Sequence, residues 1–244
     1  MPHTEYFSRE YLVMECDCDM NENLTPGAFL RLAQQISGQH CNTLGMTGEF
    51  YRRQHAVFLL AKLAMHLERP IKSGEVLTLR TMPETAKRAV YKRVTAAFDQ
   101  QGERVALLDS RWVLVDTETR RILRRPPEAF ASLPFEESVP FELDVSIRKP
   151  EQTQPAGAVC AAYSRCDTNK HMNNTRYADA AADALPLEAF ENGAVVRHLV
   201  ISYHNELPMG QTAQLERGRL ADGSWYVAGQ REGRPCFEAV LTVG

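Results

Sequence analysis

Within the stretch CDTNKHMNNTRY, residues 166–177, three side chains able to move or stabilise charge fall on alternate positions: Asp167, Asn169 and His171. Alternate residues of an extended segment point to the same side. A carboxylate, an amide and an imidazole therefore share one face. An Ala-rich run follows, with Asn173 or Asn174 placed to cap a helix. The first N–H groups of a helix lack internal partners and carry partial positive charge. Such donors beside a carboxylate and an imidazole suit a developing oxyanion. A second carboxylate, Glu206, stands in SYHNELP at the end of a β-type run. Cys166, five positions before His171, offers the other chemistry, a thiol nucleophile with a His partner.

The stretch has a weaker copy near the start of the chain. At an offset of 148 positions (166 − 18), Cys18 meets Cys166, Asp19 meets Asp167, Asn21 meets Asn169, Phe29 meets Tyr177 and Ala33 meets Ala181. HLERP (66–70) resembles HNELP (204–208) at an offset of 138 (204 − 66), which sets Glu68 against Glu206. Two matches in one order point to a duplicated unit. The copies differ at Asn23, which stands where the second unit has His171. Shared Asp and Asn would tie each loop to its helix, and the His would make the second unit special.

The surrounding elements repeat as well. Thr25 is a good N-cap, Pro26 fits a first turn, and Phe29, Leu32, Ala33 and Ile36 follow helical spacing. In the second copy Tyr177, Ala180, Ala181, Ala184 and Leu185 trace one apolar stripe, whose small Ala residues suit lying close on a sheet. Four β-rich runs follow each helix: 56–68, 75–84, 89–99 and 104–116, then 194–206, 211–220, 224–232 and 235–243. YLVMEC and AVCAAYS add a strand before each helix. The expected fold is α+β, a tandem (double) hotdog in which each unit is a long helix wrapped by a curved antiparallel sheet. The units are expected at residues 1–120 and 156–244. Residues 121–155, holding Pro126, Pro127, Pro134, Pro140, Pro150 and Pro155, read as a linker crossing the surface.

Composition bounds the function class. The 244 residues are 44% hydrophobic and 24% charged, enough to bury a real core. A net charge of −3 gives no global argument for nucleic acid or an anionic membrane. No apolar run approaches the roughly 20 residues that span a bilayer. MPHTEYFSREYLVME lacks a basic-then-apolar signal pattern, so the expected location is the cytoplasm. The six cysteines form no C-x-x-C pair and no zinc spacing. They read as reduced, small hydrophobes, and no metal is expected.

The pattern D-x-N-x-H-x-N-N-x-x-Y, filled by Asp167, Asn169, His171, Asn173, Asn174 and Tyr177, resembles the signature of acyl-ACP thioesterases. Residues 24–45, 69–81 and 109–126 resemble that family's first half, and SYHNEL resembles the segment bearing its catalytic glutamate. The resemblance covers nearly the whole chain. It implies a tandem hotdog enzyme that hydrolyses the thioester between a fatty acyl chain and acyl carrier protein, ending elongation without a cofactor. Carried over, the catalytic set falls on Asp167, Asn169, His171 and Glu206. The plant enzymes generally have a Cys after the glutamate; Leu207 here removes a cysteine nucleophile at that position.

A thiolate of pKa about 8.5 leaves readily. The site then needs an activated nucleophile and an oxyanion pocket. Water deprotonated by Glu206 or Asp167, with His171 orienting it, meets the first need. Asn169 and the helix start at Asn173 and Asn174 meet the second. The other route makes Asp167 a nucleophile that forms an acyl anhydride. Phe29, Leu32, Ile36, Phe58 and Leu60 are candidates to line an acyl tunnel in the first unit. Arg120, Arg121, Arg124 and Arg125 are candidates to dock the acidic carrier protein. An acyl-CoA thioesterase, a hotdog dehydratase and a non-catalytic acyl- or carrier-binding module are the alternatives, as a monomer or homodimer.

Overall fold

Both helix-start loops are closed by the aspartate they share. Asp19 Oδ1 accepts the N–H groups of Asn21 (2.8 Å) and Asn23 (3.0 Å). Asp167 Oδ1 accepts that of Asn169 at 2.9 Å. Each loop then reverses through a left-handed residue, Glu22 or Lys170, both with φ 62°. These aspartates are folding devices in both copies. They belong to a computed structural model that describes residues 6–139 and 141–244. Residues 1–5 of the N-terminal stretch and the linker's Pro140 lie outside the described residues.

The first copy runs β1 (Phe7–Leu12), α1 (Pro26–Thr43), α2 (Gly48–Arg53), β2 (Ala56–Leu67), β3 (Val76–Pro83), β4 (Val90–Phe98) and β5 (Arg104–Asp116). Thr25 caps α1, its hydroxyl accepting the Ala28 N–H at 3.2 Å. A short α3 (Glu128–Ala131) lies between the copies. The second copy runs β6 (Gln154–Cys160), α4 (Arg176–Asp183), β7 (Val196–Tyr203), β8 (Thr212–Arg219), β9 (Trp225–Arg231) and β10 (Arg234–Val243).

All ten strands form one antiparallel sheet, ordered β1-β3-β4-β5-β2-β7-β10-β9-β8-β6. Read outward from the centre, the two halves have the same order, so the duplication seen in sequence is a duplication of topology. The halves meet where β2 pairs with β7, Leu63 opposite Ile201 and Met65 opposite Leu199. A single core holds Phe29 and Ile36 of α1 with Tyr177 and Ala181 of α4 and the strands beneath. The small residues of α4 let it lie close: Tyr177 meets the Phe237 ring edge-on at 5.1 Å.

Three expectations are corrected. The second helix is not long: α4 has eight residues against eighteen in α1. Its continuation stops before Pro186, which lacks the N–H a further turn requires. The offset after the helices is 136, not 138. Leu24 N–H donates to the Ile71 carbonyl as Met172 N–H donates to the Leu207 carbonyl, and 207 − 71 is 136. Glu206 therefore corresponds to Pro70, and Glu68 to His204. The linker, lastly, is more than a surface crossing. Phe130 of α3 is buried with Met46, Ala56, Tyr91 and Leu114. Val139 packs on Val94, Ala96 and Leu107, with Phe141 and Leu143 beside it. This second cover explains why β4 is buried on both faces. Among the described residues no helix is long and apolar enough to cross a membrane.

Candidate active site

Beyond β7 the chain runs alongside the second loop. Met172 N–H donates to the Leu207 carbonyl and Met209 N–H to that of Lys170, both at 2.9 Å. This pairing brings His171 Nε2 to 3.8 Å from Glu206 Oε1. The other ring nitrogen, Nδ1, lies 3.3 Å from the Met172 carbonyl, the place of a donor. With the proton held there, Nε2 presents its lone pair beside the carboxylate. Arg120, on the turn after β5, donates to the same Oε1 at 2.6 Å. The His171 side chain is 16% exposed and Glu206 41%, so the pair is open to solvent on one side. The first unit lacks this pair. Asn23 is buried, its side-chain amide without a hydrogen bond among the described residues, and Pro70 replaces the carboxylate.

Asp167 bonds to both Asn169 and Asn173 within the loop. Asp167 Oδ2 accepts the Asn173 side-chain amide at 3.3 Å. Asn173 Oδ1 in turn accepts both the Thr175 N–H (3.0 Å) and the Thr175 hydroxyl (2.8 Å). One N–H of the Asn173 side-chain amide is thus engaged in the turn into α4. Asn169 is exposed, and what it gives the loop is its backbone N–H. Cys166 donates its thiol to the Ala161 carbonyl at 3.4 Å. Burial first, then the Asp167 charge, pushes that thiol up from its ordinary value, the opposite of an activated nucleophile.

A cavity of 470 Å³ lies against α1, between it and β2, β4 and β5, and reaches the second unit at Asn174, Thr175 and Tyr203. Its lining is mostly apolar. Of the five acyl-tunnel candidates, Phe58 and Leu60 line it. Phe29 and Ile36 do not; they are fully buried in the central core, and Leu32 packs at the edge of that core. The helix face on the cavity is the neighbouring one, Leu30, Ala33, Gln34, Ser37 and Cys41. Stripe spacing located the buried arc of α1 but not which part of that arc leaves a gap. A polar groove holding Asp167, Arg31, Arg165 and Arg176 adjoins the cavity, sharing Gln34, Gly38, Asn42 and Thr175 with it. His171 and Glu206 line neither space; Asn174 and Thr175, just after His171, carry the chain to the cavity wall. There the Tyr203 hydroxyl donates to the Asn174 carbonyl at 2.9 Å. Burial pushes the pKa of this hydroxyl far up, so it stays a donor at neutral pH.

Arg121, Arg124 and Arg125 are exposed, while Arg120 is engaged by Glu206. The sequence offered Arg120 only as a docking candidate and did not single out Arg93. The Arg120–Glu206 pair joins positions 86 apart and leaves no local signal. Arg93 inside AVYKRVTAAFD did leave one, an Arg beside Lys92 in a β-rich run whose alternation puts the two on opposite faces.

A doubled hotdog whose polar pair is confined to the second unit, beside an apolar cavity in the first, is the class that fold and site define. Family models narrow it: the acyl-ACP thioesterase N-terminal domain matches residues 4–133, and the C-terminal domain matches residues 152–231. The chain belongs to the acyl-ACP thioesterase family. It is 19% identical over 219 residues to oleoyl-acyl carrier protein thioesterase 2 of Arabidopsis thaliana, covering 82% of this chain and 59% of that protein. The chain spans a little over half the length of the curated relatives it matches. An acyl-ACP thioesterase from Bacteroides thetaiotaomicron has the same fold, with a TM-score of 0.85 at 20% identity over 97% of each chain. So has the 12:0-ACP thioesterase from Umbellularia californica, at 0.83 and 16% identity over 98% of this chain and 96% of that one.

Proposed function

We propose that this protein hydrolyses fatty acyl thioesters of acyl carrier protein, releasing the free acid and the carrier thiol. The observation that carries the reading is the His171–Glu206 pair, present in one unit only and close to the wall of an apolar cavity. A gap of 3.8 Å is too long for a direct hydrogen bond and suits a substrate water touching both groups. In this reading Glu206 and Nε2 of His171 draw a proton from that water as it attacks the thioester carbonyl. Charge on the carbonyl oxygen is met by Asn174 and by N–H groups at the start of α4. The carrier thiolate then leaves and takes the proton back from His171. Asp167, already bonded to Asn169 and Asn173, holds the loop in shape, which favours water over an Asp167 anhydride.

The first unit would hold the acyl chain and the second would do the chemistry, with the division at residues 1–120, 121–155 and 156–244. Six free cysteines suit a reducing compartment, here the cytoplasm. Exposed Arg121, Arg124 and Arg125 remain the docking candidates for the acidic carrier. The test is thiol release from acyl-carrier and acyl-CoA thioesters across chain lengths. His171→Ala and Glu206→Gln should each lower kcat/KM on the carrier substrate by roughly 10²-fold. No release from any carrier thioester by the unmodified protein would sink the reading. Oxygen from ¹⁸O water appearing in the Asp167 carboxylate would replace the water route with the covalent one.

A further inference from the structure

The proposed acyl cavity has a cation in its wall. Arg93 of β4 is 8% exposed and lines the cavity beside Thr95, Ser110 and Trp112. Its guanidinium bonds to no carboxylate among the described residues: Nη1 lies 3.2 Å from both His40 Nδ1 and Thr81 Oγ1, and Nη2 lies 3.5 Å from Cys41 Sγ. Buried arginines are ordinarily neutralised by an acid, because an unpaired charge in a low-dielectric interior is costly. The neighbouring buried cation shows the usual arrangement: Lys92, on the opposite face of β4, pairs with buried Glu84 at 3.0 Å. His40 cannot supply a negative charge, since imidazole is neutral or cationic; burial, and secondarily Arg93 itself, lowers its pKa to about 4 and keeps it a neutral acceptor.

Arg93 is also remote from the reacting end. Counting across the sheet, β4, β5, β2 and β7 stand side by side. Tyr203 of β7 is thus three strand spacings away, roughly 14 Å. An ordinary alkyl chain extended from Asn174 would lay methylene groups against a guanidinium and leave it uncompensated. An acyl chain bearing an acceptor oxygen at that depth would complete its hydrogen bonds and, if anionic, its charge.

Resting on the thioesterase reading, we propose that Arg93 is a specificity residue selecting acyl chains with an oxygen function remote from the thioester: a terminal carboxylate, or a hydroxyl or oxo group far along the chain. The comparison is between free acids of equal length titrated calorimetrically into the intact protein: unsubstituted, 3-hydroxy, remote hydroxy, remote oxo and ω-carboxy. The unmodified protein should bind at least one remotely oxygenated acid about 10-fold or more tightly than the plain acid, as one charge-assisted hydrogen bond provides. The 3-hydroxy acid should gain nothing. The same order should appear in kcat/KM on the corresponding thioesters. Arg93→Met should remove the discrimination in both assays, and Arg93→Lys should keep part of it. Equal binding of plain and remotely oxygenated acids by the unmodified protein overturns the proposal, and that arm needs no variant to fold. Discriminating binding without hydrolysis would instead overturn the thioesterase reading and leave Arg93 as a recognition residue.

Discussion

Glu206 is held from two directions, by the loop that carries His171 and by Arg120 from the far end of β5. Both members of the Arg120–Glu206 pair are largely exposed, so their attraction adds little to stability, ~0–1 kcal/mol at most. Its effect should fall on orientation. Arg120→Ala is expected to lower kcat/KM by about 10-fold, with the melting temperature nearly unchanged and partial rescue by Arg120→Lys. A fall in melting temperature with activity intact would assign the arginine to folding alone. His40 offers a separate test. Its ring stacks on Phe7 at 5.0 Å, and burial followed by the Arg93 charge lowers its pKa from 6.5 to about 4. The folded protein keeps His40 neutral where the unfolded chain protonates it. Its stabilising contribution is therefore complete above pH 6.5 and is lost as the pH falls from 6.5 towards 4. Melting temperatures across that window should fall less steeply for His40→Gln than for the unmodified protein.

At the scale of elements, what the sequence revealed was local. Thr25 and Pro26 announced the start of α1, alternation announced the strands, and Asp19 and Asp167 announced paired loops, because caps, pleats and Asx turns are written in neighbouring residues. His171 was legible through the repeat, and Glu206 only through the family pattern, since the repeat as read paired it with Glu68. What stayed hidden depends on distant packing. The shift from 138 to 136 between the copies shows only in which carbonyl each loop meets. The arc of α1 that faces a void rather than packed side chains depends on strands as distant along the chain as β5 and, at Tyr203, β7. The linker's apolar residues could have been read as a second cover, but only once β4 was known to be buried on both faces. The contact of α4 with the sheet is similarly long-range. Phe237, against which Tyr177 rests, lies over Gly229, and an added Cβ there would approach the ring to 2.4 Å. Gly229→Ala should therefore destabilise the protein by about 1–3 kcal/mol, read as a lower urea midpoint with the slope unchanged. An unshifted midpoint would mean the ring has room to move.

At the scale of the whole molecule, two hotdog units share one sheet instead of docking as separate bodies. The β2–β7 seam pairs Leu63, Ala64 and Met65 with Ile201, Val200 and Leu199, and nearly all of these are fully buried. The core is continuous across it, with Phe29 and Tyr177 in one cluster. The cavity takes walls from both units. A unit without its partner would expose this seam as an apolar strand edge, which is an unstable and aggregation-prone state. Unfolding should accordingly be a single cooperative event even though the chain contains a duplication. The two tryptophans allow this to be read directly, since Trp112 lies in β5 and Trp225 in β9, one in each unit. Trp112→Phe leaves a reporter only in the second unit, and Trp225→Phe leaves one only in the first. In each variant, urea titration followed by fluorescence should coincide with the transition followed by circular dichroism. Adding Leu199→Ala at the seam to each should move both reporters together, by about 2–5 kcal/mol for a buried leucine. If the second unit's reporter shifted while the first unit's stayed put, the units would be independent domains that merely touch.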